Sequence, residues 1–276
     1  MMPLQKKPKE LPDPYIQKIE RLLIQYGKST HRSVRRMLQT GTVCVNGQTV
    51  TSPSHPFDTR NDVLSVDGKQ VPVSPHIYLM LNKEQDTVCS TVSGMLHTSV
   101  LERFPEQILH PDNLPPLHLV GRLDADTEGL LLLTTDGVFS HLLTDPEKHI
   151  PKTYLVYLRD YVPPTDRERY IKEFRQGVTV PPATKSPSCT TKPAELTWTD
   201  DDGKYCTITG AEFTTCTLTI TEGKFHQVKR MFLAMGNEVI FLKRIAMGNL
   251  FLDENLLPGQ YRSLSDGELS DLQGIL

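Results

Sequence analysis

The 276-residue chain has a single tryptophan, only five cysteines, and no apolar run close to the ~20 residues that cross a bilayer. Each scarcity removes a class of protein. The cysteines, Cys44, Cys89, Cys189, Cys206 and Cys216, are odd in number and form no Cys-x-x-Cys pair, which argues against a disulfide framework or a zinc knuckle and for reduced thiols. The opening stretch MMPLQKKPKELPDP lacks the apolar segment of a secretory signal, so a soluble, cytoplasmic protein away from the membrane is expected. Net charge is small, at −3, which taken whole argues against a polyanionic partner. The average hides a split, because residues 1–75 carry 11 Lys+Arg against 6 Asp+Glu and leave 19 against 27 for the rest. A basic front end on an acidic body is the footprint of an appended anion-binding module. Hydrophobic residues, by contrast, make up 38% of the chain, enough for a sizeable core and for two domains.

Residues 1–14 hold four prolines among lysines without an apolar period, and read as a flexible lead-in. From Tyr15 the spacing of Ile16, Ile19, Leu22 and Leu23 predicts a helix, and Val34, Met37 and Leu38 predict a second one that stops at Gly41. Lys28, His31, Arg32, Arg35 and Arg36 lie between and along them. TVCVNGQTV alternates around Asn46-Gly47, a strong hairpin signal. This unit runs to about Val73, where Pro72 and Pro75 bracket a linker, and the remainder, residues 77–276, reads as mixed α and β. IYLMLN, LHLVGRL, TYLVYL, TTCTLTITE and EVIFLKR are strand candidates, whereas FHQVKRMFLAMG carries the helical period at Val228, Met231, Phe232 and Met235 before Gly236. The proline-rich stretch from Val180 to Pro193 reads as a long loop.

One stretch carries chemistry: GRLDADTEGLLLLTTDG, from Gly121 to Gly137. Asp124, Asp126, Glu128 and Gly129 sit at the spacing of the first ligands and turn glycine of an EF-hand. The twelfth position, which must be a bidentate glutamate, is Thr135, and the ninth is Leu132. Four leucines then follow the glycine, a run suited to a buried strand. The carboxylates stand at the mouth of that strand, and no metal is expected.

This stretch resembles the signature of the pseudouridine synthases in their RsuA-type branch, which modify ribosomal RNA. Further matches follow in order: the strand ending Leu81-Asn82-Lys83, Lys152-Thr153-Tyr154 opening a strand, Thr191-Lys192-Pro193-Ala194, EGKFHQVKRMF, and PGQYRSL. The resemblance implies an α+β chain, with a small N-terminal α-L (S4-like) RNA-binding domain over residues 15–73. Behind it follows a mixed, mainly antiparallel-sheet catalytic domain over residues 77–276. Two positions depart from the pattern. Glu84 replaces a proline after Lys83, and Thr30-His31 stands where the module commonly has Ser-Arg, which shifts phosphate contact toward Arg32, Arg35 and Arg36.

Isomerising uridine means cutting the ribose bond to the ring nitrogen, turning the uracil and re-joining it through carbon 5. No oxidation state changes, so no cofactor is expected. The resemblance implies Asp124 as the catalytic carboxylate, acting as a nucleophile or on the ribose. One carboxylate suffices because uracil leaves as a delocalised anion. An enclosed carboxylate stays ionised beside a cation, and Lys229 is assigned as that partner. Lys229 and Arg230 point ~100° apart on a helix, so only one faces the pocket. Tyr154 takes the position of the aromatic that stacks on the uracil, which contributes roughly 1–3 kcal/mol. Ile220 packs the other side, and Arg122, His226, Gln227 and Lys83 are expected to contact the substrate. Cys89-Ser90 and His97-Thr98 look most like synthases of small-subunit ribosomal RNA, naked or in an assembling particle, with a monomeric enzyme expected. A large-subunit or transfer-RNA target stays open, as does a non-catalytic RNA-binding protein on the same fold.

Overall fold

Asn46 and Gly47 both have positive φ, 51° and 79°, which is what a two-residue turn between strands demands, and they join β2 (Val43–Val45) to β3 (Gln48–Thr49) as the sequence predicts. The computed structural model describes residues 15–27, 30–73, 75–91, 93–94, 97–112, 114–184, 186–199, 206–208 and 211–276. The expected lead-in of residues 1–14 and the candidate contact Lys28 lie outside them. Ahead of the hairpin are β1 (Ile16–Lys18), α1 (Ile19–Gly27) and α2 (His31–Gln39). After it come β4 (Pro56–Asp58), β5 (Leu64–Val66) and β6 (Lys69–Val71). Ile16 does not join the helix that its spacing predicts. It is 43% exposed in β1, which pairs with β4 some forty residues on, a contact that no local period reveals. Thr30 caps α2 with a reciprocal Ser33 bond, and Val34 and Leu38 face inward. Ile19, Leu22, Leu23, Val34, Leu38, Phe57 and Leu64 belong to one apolar cluster confined to this N-terminal part.

The remainder is organised on a mixed sheet. Its strands are β7 (Tyr78–Lys83), β10 (His118–Val120), β11 (Glu128–Thr134), β12 (Lys152–Leu158), β15 (Glu195–Trp198), β16 (Cys206–Ile208), β17 (Ala211–Ile220), β18 (Val239–Met247), β19 (Leu250–Phe251) and β20 (Tyr261–Ser263). Two short ladders lie apart from it: β8 (Thr87–Val88) with β9 (Thr98–Ser99), and β13 (Thr179–Val180) with β14 (Cys189–Thr190). The second replaces part of the long loop expected from the prolines. The main path runs β15-β17-β12-β18-β11-β7-β20, antiparallel throughout except for the parallel pair β11 and β18.

The leucine run explains the layering. Leu131 and Leu133 enter one apolar cluster and Leu130 and Leu132 the other, so β11 is buried on both faces. On the first face pack α5 (Pro164–Gln176), through Tyr170 and Phe174, and α6 (Gln227–Ala234), through Val228, Met231 and Phe232. On the second lie α4 (Gly137–Thr144), through Phe139 and Leu143, and α7 (Asp266–Gly274), through Leu269 and Leu272. A four-residue helix, α3 (Glu106–Leu109), lies outside this frame. No helix among the described residues is long and apolar enough to cross a membrane.

Candidate active site

The first face of the sheet is open where α6 begins, and there a cavity of about 460 Å³ forms between the sheet, the start of α6 and the loop that precedes β11. That loop, residues 121–127, holds Asp124. Its shape is set from below by Lys83, whose Nζ donates to the carbonyls of Glu84 (2.9 Å), Ala125 (3.1 Å) and Thr127 (2.9 Å). The Lys83 side chain is fully buried, and burial pushes its pKa down against the raising influence of Cys89, Asp126, Asp124 and Glu128. This corrects the expectation that Lys83 contacts the substrate: with all three donors spent on backbone, it is a tether. From the other side the Leu123 amide donates to Cys89 Sγ at 3.3 Å, and the Asp86 amide to the Ala125 carbonyl at 2.9 Å. Glu84, in place of the expected proline, pairs with Arg103.

Gly129 closes the loop onto the sheet. Its φ is +104°, and a Cβ there would stand 2.2 Å from the carbonyl oxygen of Arg244 and 2.8 Å from its nitrogen. Only glycine lets β11 approach β18 this closely. The residue that looked like a calcium-loop turn is therefore a backbone crossing.

Asp124, Arg122, Tyr154, Ile220, His226 and Gln227 all line the cavity. Asp124 is about one-third exposed, with His226 Nε2 at 3.6 Å from its Oδ1. His226 takes a left-handed conformation, φ 48°, at the start of α6, and its ring stacks on Phe225 at 3.9 Å. Tyr154 and Ile220 are buried on adjacent strands, at 8% and 3% exposure. Arg122 is exposed on the cavity rim. Gln227 is committed to its own turn: its Nε2 donates to Glu222 at 2.7 Å and its Oε1 accepts from the Lys224 amide at 2.9 Å.

Lys229 requires a correction. Its Nζ pairs with Asp126 rather than Asp124, and the side chain does not line the cavity. Burial alone would raise the pKa of Asp126, but the Lys229 hydrogen bond and charge outweigh it and lower the value. The reason lies in the entry to α6. Because His226 is left-handed, it does not continue the helical face of Lys229, and the histidine reaches Asp124 while the lysine points to the outer end of the loop. Arg230 is turned away as its spacing predicts, donating to the carbonyls of Pro181, Phe225 and Pro187.

Three cavity cations escaped the sequence reading: Lys224, in the turn before α6, and two on the strands. Lys152 is two residues before Tyr154 and so shares its face of β12. Burial and the charge of Arg244 push its pKa down to about 8. Arg244 lies directly opposite Tyr154 in the β12–β18 register, on the inward side with Leu242. The signal was available, since an arginine alternating with inward-facing apolar residues in a strand is out of place unless it serves a site. Further out, α2 presents Arg32, Arg35 and Arg36 on one exposed face, opposite Val34 and Leu38. His31 and Arg35 approach Glu20, at 3.2 and 3.7 Å. Arg32 and Arg36 have no acidic partner among the described residues.

Comparison with known proteins places this geometry in context. Residues 77–234 match a family model described as RNA pseudouridylate synthase. The chain is 37% identical over 253 residues to a Bacillus subtilis (strain 168) protein named "Uncharacterized RNA pseudouridine synthase YtzG", covering 91% of this chain and 96% of that one. It is 37% identical over 243 residues to the Haemophilus influenzae "Ribosomal small subunit pseudouridine synthase A", covering 88% and 94%. A solved structure titled "Crystal structure of pseudouridylate synthase" superposes with a TM-score of 0.59 at 34% identity, over 92% of this chain and 99% of that one.

Proposed function

The chain belongs to the RNA pseudouridylate synthase family, and on that premise we propose that it isomerises one uridine of small-subunit ribosomal RNA with Asp124 as the catalytic carboxylate. The observation that carries the assignment is the joint presence of Asp124, Tyr154 and Ile220 on the wall of a single cavity large enough for a nucleotide. An extruded uridine stacks on Tyr154, with Ile220 packing against it, and the ribose lies toward Asp124. The bond between ribose C1′ and uracil N1 breaks with its electron pair going to the base. Carbon 5 of the turned uracil then bonds to C1′ and gives up its proton, while N1 gains one, so the atoms balance without an outside reactant. Asp124 either attacks a carbon or takes a ribose proton. Arg122, on the rim, meets a backbone phosphate. Lys229 supports the loop through Asp126.

Residues 15–73 act as an S4-like RNA-binding domain that anchors phosphates through His31, Arg32, Arg35 and Arg36 on α2, and residues 77–276 form the catalytic domain. The enzyme works as a cytoplasmic monomer. Small-subunit RNA is favoured because several similar proteins bear the name ribosomal small subunit pseudouridine synthase A. The test uses small-subunit ribosomal RNA from cells lacking the gene, with pseudouridine mapped after incubation with the purified protein. The intact protein should restore one modified position. Asp124→Asn should bind this RNA with affinity within about threefold of the parent yet lose about 10³-fold or more in rate. Equal activity of that variant, or no pseudouridine from the intact protein, would refute the assignment.

A further inference from the structure

Arg244 is the charged residue most deeply buried in the cavity wall, at 2% exposure. Its Nε donates to the carbonyl of Leu130 at 2.7 Å. That acceptor is free because β11 pairs with β18 only through Glu128 and Gly129 before the strands part. The remainder of the guanidinium is uncommitted: Nη2 is buried without an acceptor, and no carboxylate lies within ion-pair reach of it among the described residues. Another cation, Lys152, lies near enough for the charge of Arg244 to act on it, and its Nζ donates to the Ile150 carbonyl at 3.0 Å. A guanidinium held by one nitrogen, with its remaining donors unanswered, costs stability that a purely structural arginine would not impose.

Its placement says what it would receive. Tyr154 stands directly across from it on the same face of the sheet, so a ring stacked on Tyr154 brings its edge to Arg244. RNA phosphates stay at the rim, near Arg122 and Lys224, because a strand cannot carry its backbone to the floor of the cavity. The floor therefore meets the base. Uracil offers two carbonyl oxygens, at carbons 2 and 4. A half-turn about the axis through N3 and C6, which exchanges N1 with C5, also exchanges these two carbonyls. A fixed donor that holds one of them before the turn meets the other after it.

Building on the isomerase reading above, we infer that the Arg244 guanidinium donates to a uracil carbonyl oxygen in both orientations of the base, stabilises the detached uracil anion, and rejects cytosine. When the C1′–N1 bond breaks, its electron pair spreads over N1 and the two oxygens, so the contact strengthens in the detached state. Cytosine presents an amino group in place of one carbonyl, and that donor would oppose the guanidinium in one of the two orientations.

The test uses a synthetic oligoribonucleotide spanning the uridine that the mapping experiment locates, with uridine, 2-thiouridine or 4-thiouridine at that position. Sulfur is a poorer acceptor than oxygen. Single-turnover rates are compared for the parent enzyme, Arg244→Gln and Arg244→Lys, each checked for folding by thermal unfolding. Gln and Lys both keep a nitrogen donor toward Leu130. On uridine, Arg244→Gln should lose about 100-fold and Arg244→Lys should recover part of that loss. Either thio substitution should slow the parent about tenfold but Arg244→Gln less than about twofold, because the partner atom is already gone. Equal thio penalties in the parent and the variant overturn the inference. Should neither variant fold, the parent alone decides: a rate that ignores sulfur at both positions overturns it, and slowing at both supports it. A parent inactive on plain uridine refutes the isomerase reading instead, so the two failures are distinguishable.

Discussion

Lys83 shows how a single side chain can organise the loop that carries Asp124 without lining the cavity. A buried ammonium is costly, and here the cost is offset by three carbonyl acceptors, two of which belong to the loop that carries Asp124. Lys83→Met keeps the bulk and removes all three bonds. We expect it to lose about 1–3 kcal/mol in urea unfolding and to turn over slowly at saturating RNA, while its affinity for RNA stays near that of the parent. The opposite pattern, weakened RNA binding with an unchanged turnover rate, would restore the direct-contact role that its position in the sequence motif suggested. Gly129 works through absence: any side chain there collides with the Arg244 backbone, so the crossing that places the buried guanidinium depends on a residue without a Cβ.

Among the elements, those governed by local rules were legible in the sequence and those governed by distant partners were not. Asn46-Gly47 specifies its hairpin through backbone preference, and the four leucines mark a strand buried on both faces. Ile16 obeys a helical period yet belongs to β1, because pairing with β4 satisfies its backbone. Lys229 and His226 are three apart and share a face on an ideal helix, but the left-handed His226 breaks that relation, and in the folded chain it is the histidine that reaches Asp124. The closing element, α7, carries a prediction of its own. Glu268 completes the Ser265 capping box and takes both Arg262 Nη nitrogens, at 2.9 and 2.8 Å. These bonds, the Arg262 ones first, hold its pKa down to about 2 from 4.5. A carboxylate with a lowered folded pKa stabilises above its unfolded value, and that contribution fades as pH falls from about 4.5 toward 2. Glu268→Gln should therefore flatten the acid limb of stability in that window, measured as urea midpoints at successive pH values. An unchanged limb would mean that the pairing does not anchor α7.

At the scale of the whole molecule, the basic front end and the acidic body are joined by specific bonds rather than by charge balance alone. Arg21 donates to Asp136 at 2.6 Å, and Tyr15 to Asp266 at 2.6 Å. Asp136 also caps α4 and accepts from Tyr78. Burial alone would raise its pKa, and the charge of Arg21 leads the influences that lower it instead. Arg21 is thus engaged with the body, whereas Arg32, Arg35 and Arg36 of α2 stand exposed on one face. Each phosphate neutralised by such a surface contributes about 0.7–0.9 to the slope of log affinity against log salt. Replacing Arg32, Arg35 and Arg36 together with glutamine should lower that slope by about 2 to 3 and weaken RNA binding at low salt, with Arg35 giving the smallest share because Glu20 competes for it. Turnover at saturating RNA should hardly change, since none of the three lines the cavity. Filter binding across a salt series, set beside single-turnover rates, separates these effects. A salt slope equal to that of the parent would detach α2 from RNA binding, and the acidic body would then need another route to a polyanion.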